Sequence, residues 1–262
     1  MYFIDVQGTL ISDEDKSPIA GSREFIDYLN EKSIPYMVIT NNTKKASRDF
    51  YDFLHSIGFA FEFDKYLDPL MLLEEKVEKH SVAAYGAPEF LKTLQSMGYV
   101  LNYENPKTVL VAIKEDFTSE EFAQMIEFLL SGAKLVGMHE TSIYAKNNKR
   151  YPGVGAILKM LEFATSVSYE VVGKPSTAFY SESLKHLQKQ NPAATFNQIE
   201  IISDDVKGDL GGAKELGMKT IFVTSGKYKT AGEIVPFLDE ALKPDLVYKN
   251  MQEILQIHVE KR

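Results

Sequence analysis

Short apolar runs alternate with amphipathic stretches along most of this sequence. The runs include YFIDV, IPYMVITNN, YEVVGKP, IEIISDD and MKTIFVTSG, and segments such as SREFIDYLNEK place apolar residues at helical spacing between them. Strands without regular polar alternation are typical of a parallel sheet that helices cover on both faces. The pattern therefore predicts an α/β fold built on a Rossmann-like parallel sheet.

The middle of the chain shows the same alternation and forms a second predicted unit. A helix over SEEFAQMIEFLLSG carries an apolar stripe that we expect to pack in a core, namely Phe122, Met125, Ile126, Leu129 and Leu130. Because similar strands lie on both sides of this section, we expect it to be inserted into the first unit. The predicted domains are a core over residues 1–75 and 172–262 and an α/β cap over residues 76–171.

Charge and composition exclude several classes of protein. The formal net charge of −8 argues against a nucleic-acid partner and against binding to an anionic membrane surface. The absence of cysteine excludes disulfides, thiol catalysis and cysteine-ligated metals. No apolar stretch approaches the roughly 18 residues of a membrane span, and no secretory signal is visible. We expect a cytoplasmic protein.

Polar residues gather where the predicted strands end. They are, in chain order, Asp5 and Gln7; Thr40, Asn41 and Asn42; Lys174; and Asp204, Asp205 and Asp209. Ligands of open parallel sheets bind at the carboxyl ends of the strands, so we expect these side chains to meet at one edge. Crowded carboxylates indicate a cation, and a few hard oxygen ligands favour Mg²⁺. One lysine with hydroxyl and N–H donors suits a phosphate group.

These motifs resemble a known family. DVQGTL, TNN, GKP and SDDVKGD resemble, in order and spacing, the four motifs of the haloacid dehalogenase superfamily of phosphatases. The inserted section resembles the C2-type cap of the NagD-like (class IIA) group. The stretch DDVKGDLGGAKELGMKTIFVTSGKY is especially similar to the branch that holds phospholysine phosphohistidine inorganic pyrophosphate phosphatase. The resemblance covers nearly the whole chain.

The resemblance implies a role for each site residue. Asp5 would attack phosphorus to form an aspartyl-phosphate, with Lys174 neutralising charge, and Mg²⁺ would bind Asp5, the Gln7 backbone carbonyl and Asp204. Asp205 and Asp209 would hold waters on the metal or orient the lysine. The residues that bind the phosphoryl group of a small substrate would be Thr40, Asn41 and Asn42 together with Lys174. A homodimer is also implied.

Gln7 departs from the family pattern, which has a second aspartate two positions after the nucleophile. That aspartate protonates the leaving group and then deprotonates water, whereas an amide can only hydrogen-bond. The sequence predicts a Mg²⁺-dependent phosphatase for monoesters or phosphoramidates whose leaving groups need little protonation. Two alternatives stay open: a weak or inactive phosphate-binding or regulatory protein, and a phosphotransferase.

Some residues also have simpler interpretations. Asp209 could charge the first turn of its helix, and residues 40–42 could cap the helix that follows them. His139 is expected on a surface loop, although the resemblance implies that the cap can contact substrate there. KNNKR (residues 146–150) is expected to be a solvated turn, although it could meet an anionic substrate from the cap side.

Overall fold

A computed structural model describes residues 1–146 and 149–260 of the protein. The strands are β1 (Tyr2–Asp5), β2 (Tyr36–Ile39), β3 (Tyr66–Leu67), β4 (Val82–Tyr85), β5 (Thr108–Val111), β6 (Lys134–Gly137), β7 (Ile143–Lys146), β8 (Lys149–Pro152), β9 (Tyr169–Val171), β10 (Glu200–Ser203), β11 (Lys219–Val223) and β12 (Leu246–Tyr248). The α-helices are α1 (Ser22–Glu31), α2 (Ser47–Ser56), α3 (Leu73–Lys76), α4 (Pro88–Ser96), α5 (Ser119–Leu130), α6 (Val154–Thr165), α7 (Thr177–Gln188), α8 (Asp209–Glu215) and α9 (Met251–Glu260).

Two parallel sheets organise these elements. Six strands form the larger sheet in the order β12-β11-β10-β1-β2-β3, and four form the smaller sheet in the order β4-β5-β6-β9. All the pairings within both sheets are parallel. From β1 the chain adds β2 and β3 on one side, and from β10 it adds β11 and β12 on the other side. Such a change of direction between neighbouring strands opens a crevice at their carboxyl ends. The predicted α/β class with a parallel core sheet is confirmed.

Burial on both faces explains the apolar first strand. Phe3 faces α7 and stacks on Tyr180, with ring centroids 6.4 Å apart. Tyr2 faces the opposite side and meets the Phe25 ring of α1 edge-on at 5.5 Å. A strand covered by helices on both sides needs apolar residues at successive positions, so polar alternation is lost.

The run YEVVGKP supplies a strand to the smaller sheet. It contains β9, which pairs with β6; we counted the run with those of the first unit, although the predicted cap over residues 76–171 already includes β9. Because both sheets are parallel and largely buried, the apolar run carries no signal about which sheet it joins. The division into a core over residues 1–75 and 172–262 and a cap over residues 76–171 stays a prediction.

The predicted stripe on α5 is wider than the face that is buried. Met125 and Leu129 pack against the smaller sheet, whereas Leu130, the last residue of the helix, is 60% exposed.

Across the described residues, no helix has the length and apolar character needed to cross a membrane.

The β7–β8 hairpin reaches the larger sheet's side of the molecule. Arg150 of β8 forms an ion pair with Glu233 at 2.6 Å, and its guanidinium lies 5.0 Å from the centroid of the Tyr228 ring. Asn147 and Asn148, in the basic run that we predicted as a solvated turn, lie outside the described residues.

Candidate active site

The predicted site residues surround one cleft of about 1120 Å³. Eight of the nine line its wall: Asp5, Gln7, Asn41, Asn42, Lys174, Asp204, Asp205 and Asp209. Thr40 is fully buried and hydrogen-bonds to the Gln7 side chain. The smaller sheet contributes the opposite wall through residues that follow β4, β5 and β6, including Pro88, Lys114 and His139. Most of the cleft therefore lies where the strands of both sheets end.

A buried lysine joins two aspartates at the floor of the cleft. The Lys174 ammonium lies 2.5 Å from Asp5 Oδ1 and 2.6 Å from Asp209 Oδ2, and the lysine is 1% exposed. Ser203 Oγ donates a second hydrogen bond to Asp209. Burial raises the pKa of Asp5 to about 6, although Lys174 acts in the opposite direction. Burial alone would lower the pKa of Lys174, but the Asp209 and Asp5 carboxylates outweigh it and raise that pKa.

A second pair of aspartates lies beside this group. Asp204 Oδ2 accepts a hydrogen bond from the Lys227 backbone N–H at 2.8 Å, while the Lys227 ammonium lies 2.6 Å from Asp205 Oδ2. Burial raises the pKa of Asp204 well above its usual value. The pKa of Asp205 is lowered because Lys227 outweighs the effect of burial.

Sequence reasoning missed Lys227, although a usable signal was present. The residue lies in the loop after β11, at the same sheet edge as the residues that were predicted. Extending the search for polar residues from four strand ends to this next one would have found it.

The donor set fits a divalent cation. Four buried aspartates, Asp5, Asp204, Asp205 and Asp209, surround Lys174 and Lys227, which leaves a formal charge of −2 that one divalent ion would balance. Within the described ranges, no three acidic or histidine side chains converge to hold a metal by themselves. The expected ligands are the Asp5 and Asp204 carboxylates and the Gln7 backbone carbonyl. A cation bound to these three groups would need water or substrate oxygens to complete its coordination, which is the usual situation for Mg²⁺.

The loop after β2 lines the cleft, and several of its backbone N–H groups have no partner among the residues that the structure describes. The Asn41 side chain makes two hydrogen bonds with the backbone of Lys174. Its Oδ1 accepts a hydrogen bond from the Lys174 N–H at 2.9 Å, and its Nδ2 donates one to the Lys174 carbonyl at 3.4 Å. The backbone N–H groups of Asn41, Thr43 and Lys44 have no hydrogen-bond partner in the part of the chain that the structure describes. Such groups can bind an anion.

Gln7 is held by the same loop. Thr40 Oγ1 donates to Gln7 Oε1 at 2.7 Å and accepts the Asn42 backbone N–H at 3.1 Å. The Asn42 side chain hydrogen-bonds the Lys45 backbone rather than a group in the cleft. The side chains of Thr40 and Asn42 therefore organise the loop in this structure.

Asp68, at the end of β3, is a buried acceptor that sequence reasoning also missed. It is fully buried, and its carboxylate accepts hydrogen bonds from β3, from the first residue of α2 and from neighbouring turns. The donors are Tyr66 OH (2.6 Å), Ser47 Oγ (2.8 Å), Asn42 Nδ2 (3.2 Å) and the backbone N–H groups of Leu70 and Met71 (3.0 and 3.3 Å). Asp68 thus ties the loop after β2 to the beginning of α2 and to β3.

Replacing Asp68 with alanine should lower the free energy of unfolding by about 3 kcal/mol or more, because several buried donors lose their acceptor at once. Tyr66→Phe removes one of these donors and leaves the acceptor in place, so we expect a loss of only about 1 kcal/mol. Urea unfolding of both variants measures the difference. Equal losses would show that the carboxylate is not the centre of this network.

His139 corrects the expectation of a surface loop. It is 5% exposed and lines the cleft, and Thr141 N–H donates to its Nδ1 at 3.4 Å. Burial lowers the pKa of His139 to about 3, with a further contribution from Lys227, so the ring is neutral near pH 7. The sequence alone does not show that this position lies near Lys174, Asp205 and Lys227 in the folded chain.

Comparison with protein families defines the class of this chain. Residues 2–100 match the model described as haloacid dehalogenase-like hydrolase, and residues 171–254 match the model described as HAD-hydrolase-like. The two matches together span more than two thirds of the sequence. The chain therefore belongs to the haloacid dehalogenase-like hydrolases and is an enzyme of that family.

Individual proteins are similar over most of their length. The chain is 28% identical over 237 residues to haloacid dehalogenase-like hydrolase domain-containing protein 2 of Bos taurus, which covers 88% of this chain and 86% of that protein. It is 26% identical over 243 residues to phospholysine phosphohistidine inorganic pyrophosphate phosphatase of Mus musculus, covering 89% and 86%.

Two solved structures show the same fold. The p-nitrophenyl phosphatase from Archaeoglobus fulgidus superposes with a TM-score of 0.80 at 21% identity, covering 98% of each chain. NagD from E. coli K-12 superposes with a TM-score of 0.73 at 20% identity, covering 96% of each chain. The chain is thus NagD-like in architecture.

Proposed function

We propose that this protein is a Mg²⁺-dependent phosphatase that acts on small phosphorylated substrates through an aspartyl-phosphate on Asp5. The observation that carries the proposal is the buried pair of Asp5 and Lys174 at the carboxyl end of the first strand, facing a cleft. The phosphatase names of several similar proteins support it.

The geometry suggests how the chain's own residues would act. An Asp5 carboxylate oxygen would attack phosphorus, and the bond from phosphorus to the leaving group would break, with the electron pair going to the leaving group. Lys174 would offset the charge on the nucleophile and on the transferring group, while the free N–H groups of the loop after β2 would bind phosphoryl oxygens. Water would then attack phosphorus, releasing phosphate and restoring Asp5.

Mg²⁺ would be held by Asp5, the Gln7 carbonyl and Asp204, and when bound it would supply positive charge at the phosphoryl oxygens. Asp205 and Asp209 would then act indirectly: Asp209 holds Lys174, and Asp205 holds Lys227. The contacts of Asp205 and Asp209 with the two lysines support these indirect roles, and the oxygen-only donor set suits Mg²⁺.

Gln7 restricts the substrates that this mechanism can use. Its amide cannot transfer a proton to a departing oxygen, so phosphoramidates, pyrophosphate and aryl phosphates are the favoured substrates. Gln7 also supports two alternatives, because its amide cannot deprotonate the attacking water. One is a phosphate-binding protein without turnover, and the other is a phosphotransferase in which water attacks the aspartyl-phosphate slowly.

The proposal is tested by phosphate release from p-nitrophenyl phosphate, phosphoramidate and a sugar phosphate, with Mg²⁺ and with excess chelator. We expect cleavage of the first two, little of the third, and none after chelation. A protein inert on all three would favour the binding role. Faster consumption of the donor when alcohols or amines are added would indicate a phosphotransferase.

Replacing Gln7 with aspartate should restore proton transfer to the leaving group. We expect kcat/KM for the sugar phosphate to rise by about 10²–10⁴-fold. The value for p-nitrophenyl phosphate should change less than about tenfold, because its leaving group needs no proton. Gln7→Asn is the matched control, since it has the shape of aspartate without its proton chemistry. If Gln7→Asp and Gln7→Asn changed kcat/KM equally, the missing proton transfer at position 7 would not be what limits the reaction.

A further inference from the structure

The loop after β11 encloses the Asp204 carboxylate. Three contacts hold this loop, residues 225–227, against the site. Ser225 Oγ donates to the Gly8 carbonyl at 2.7 Å, the Lys227 backbone N–H donates to Asp204 Oδ2 at 2.8 Å, and the Lys227 ammonium lies 2.6 Å from Asp205. We call residues 225–227 the clamp loop.

Two glycines bring the backbone unusually close to Asp204. A Cβ atom at Gly226 would lie 2.0 Å from Asp204 Oδ2, and one at Gly8 would lie 2.4 Å from the same oxygen. Either position would therefore force the carboxylate to move if it carried a side chain. Asp204 is 2% exposed and is held between the turn after β1 and the clamp loop.

The clamp loop engages only one of the two carboxylate oxygens. Asp204 Oδ2 accepts a hydrogen bond from the Lys227 N–H and lies close to the backbones of Gly8 and Gly226. Oδ1 accepts no hydrogen bond from any residue that the structure describes. A carboxylate fixed through one oxygen keeps the other available in a constant position. Groups that orient a metal ligand in this way commonly contribute 10–100-fold to metal affinity.

We infer that the clamp loop is a positioning element that presents Asp204 Oδ1 to a divalent cation, with Gly226 as the residue that permits the close approach. This inference rests on the metal site of the proposed function. It assigns a role to a segment outside the four motifs, and it makes metal affinity depend on a glycine whose backbone closely approaches Asp204.

The test compares two glycine-to-alanine variants of one surface region. Gly226→Ala places a methyl group against Asp204, whereas Gly232→Ala places one in ordinary van der Waals contact, 3.8 Å from Thr230 Oγ1. Isothermal titration of Mg²⁺ and Mn²⁺ into metal-free protein measures affinity without any assay of activity. We expect Gly226→Ala to weaken metal binding by about 10–100-fold and Gly232→Ala to change it less than about twofold.

Thermal unfolding of the metal-free variants separates positioning from folding. A purely structural role would lower the melting temperature and leave the metal dissociation constant unchanged, which would overturn the inference. If Gly226→Ala does not fold, Ser225→Ala serves instead: it releases the loop from the Gly8 carbonyl without adding an atom, and we expect several-fold weaker metal binding.

The two proposals fail in distinguishable ways. If the natural protein binds neither cation, the metal site of the proposed function is wrong, and the inference about the clamp loop is wrong with it. If the natural protein and Gly226→Ala bind the cations equally well, the metal site stands and only the clamp loop is refuted.

Discussion

Asp5→Asn should reduce kcat for p-nitrophenyl phosphate by at least about 10⁴-fold, the size of loss seen when a catalytic nucleophile is removed. The amide has nearly the shape of the carboxylate but cannot attack phosphorus at a useful rate. Lys174 keeps its second partner, Asp209, so we expect the fold to survive. Steady-state kinetics with a melting curve for each preparation measures both properties.

Asp13→Asn is the matched control for this experiment. Asp13 is a half-buried carboxylate that lines the same cleft, and it forms no ion pair with Lys174. Its loss should change kcat less than about tenfold, because it supplies general charge and not the attacking oxygen. An Asp5→Asn enzyme that retained several per cent of its activity would remove Asp5 from the role of nucleophile.

Lys174→Met should lower the free energy of unfolding by about 3–5 kcal/mol and reduce turnover by at least about 10³-fold. The variant leaves Asp5 and Asp209 buried with no ammonium between them. Removing one member of a buried ion pair has this large effect because the charge that remains is not solvated. Urea unfolding without added metal measures the change in stability, since a bound cation would mask part of it.

Lys185→Met is the control for a lysine that forms an ion pair at the surface. Its ammonium lies 2.7 Å from Glu182, a distance close to those in the buried group, but the side chain is 69% exposed. We expect a loss within about 0.5 kcal/mol. If Lys174→Met proved as stable as this variant, the buried group would not be the strong electrostatic unit that we describe.

The sequence was sufficient to predict the floor of the cleft. Asp5, Lys174 and Asp209 are far apart in the chain, yet each ends a predicted strand, follows one or opens the next helix. Parallel strands bring their carboxyl ends to one edge, so a local pattern predicted a long-range cluster. The same reasoning succeeded for Asp204 and Asp205, which also line the cleft.

The residues that were missed depend on contacts between separate elements. Asp68 collects donors from α2, from the loop after β2 and from its own turn, and a single aspartate before a proline does not show that convergence. His139 is buried in the cleft, near Lys227, Asp205 and Lys174, which lie far from it in the chain. The sheet that β9 joins is likewise decided by packing partners, since an apolar run fits either parallel sheet.

Lys174 also occupies an unusual place along the chain. It follows β9 of the smaller sheet and precedes α7, which packs on the larger one. Its carbonyl accepts the Glu140 N–H at 3.1 Å, while Asn41 holds its backbone from the other side. A chimaera that exchanged the middle section for that of a relative would cut the chain beside this lysine. Any exchange of the middle section should therefore begin by preserving the junction, because this section and the ammonium of the site share one piece of backbone.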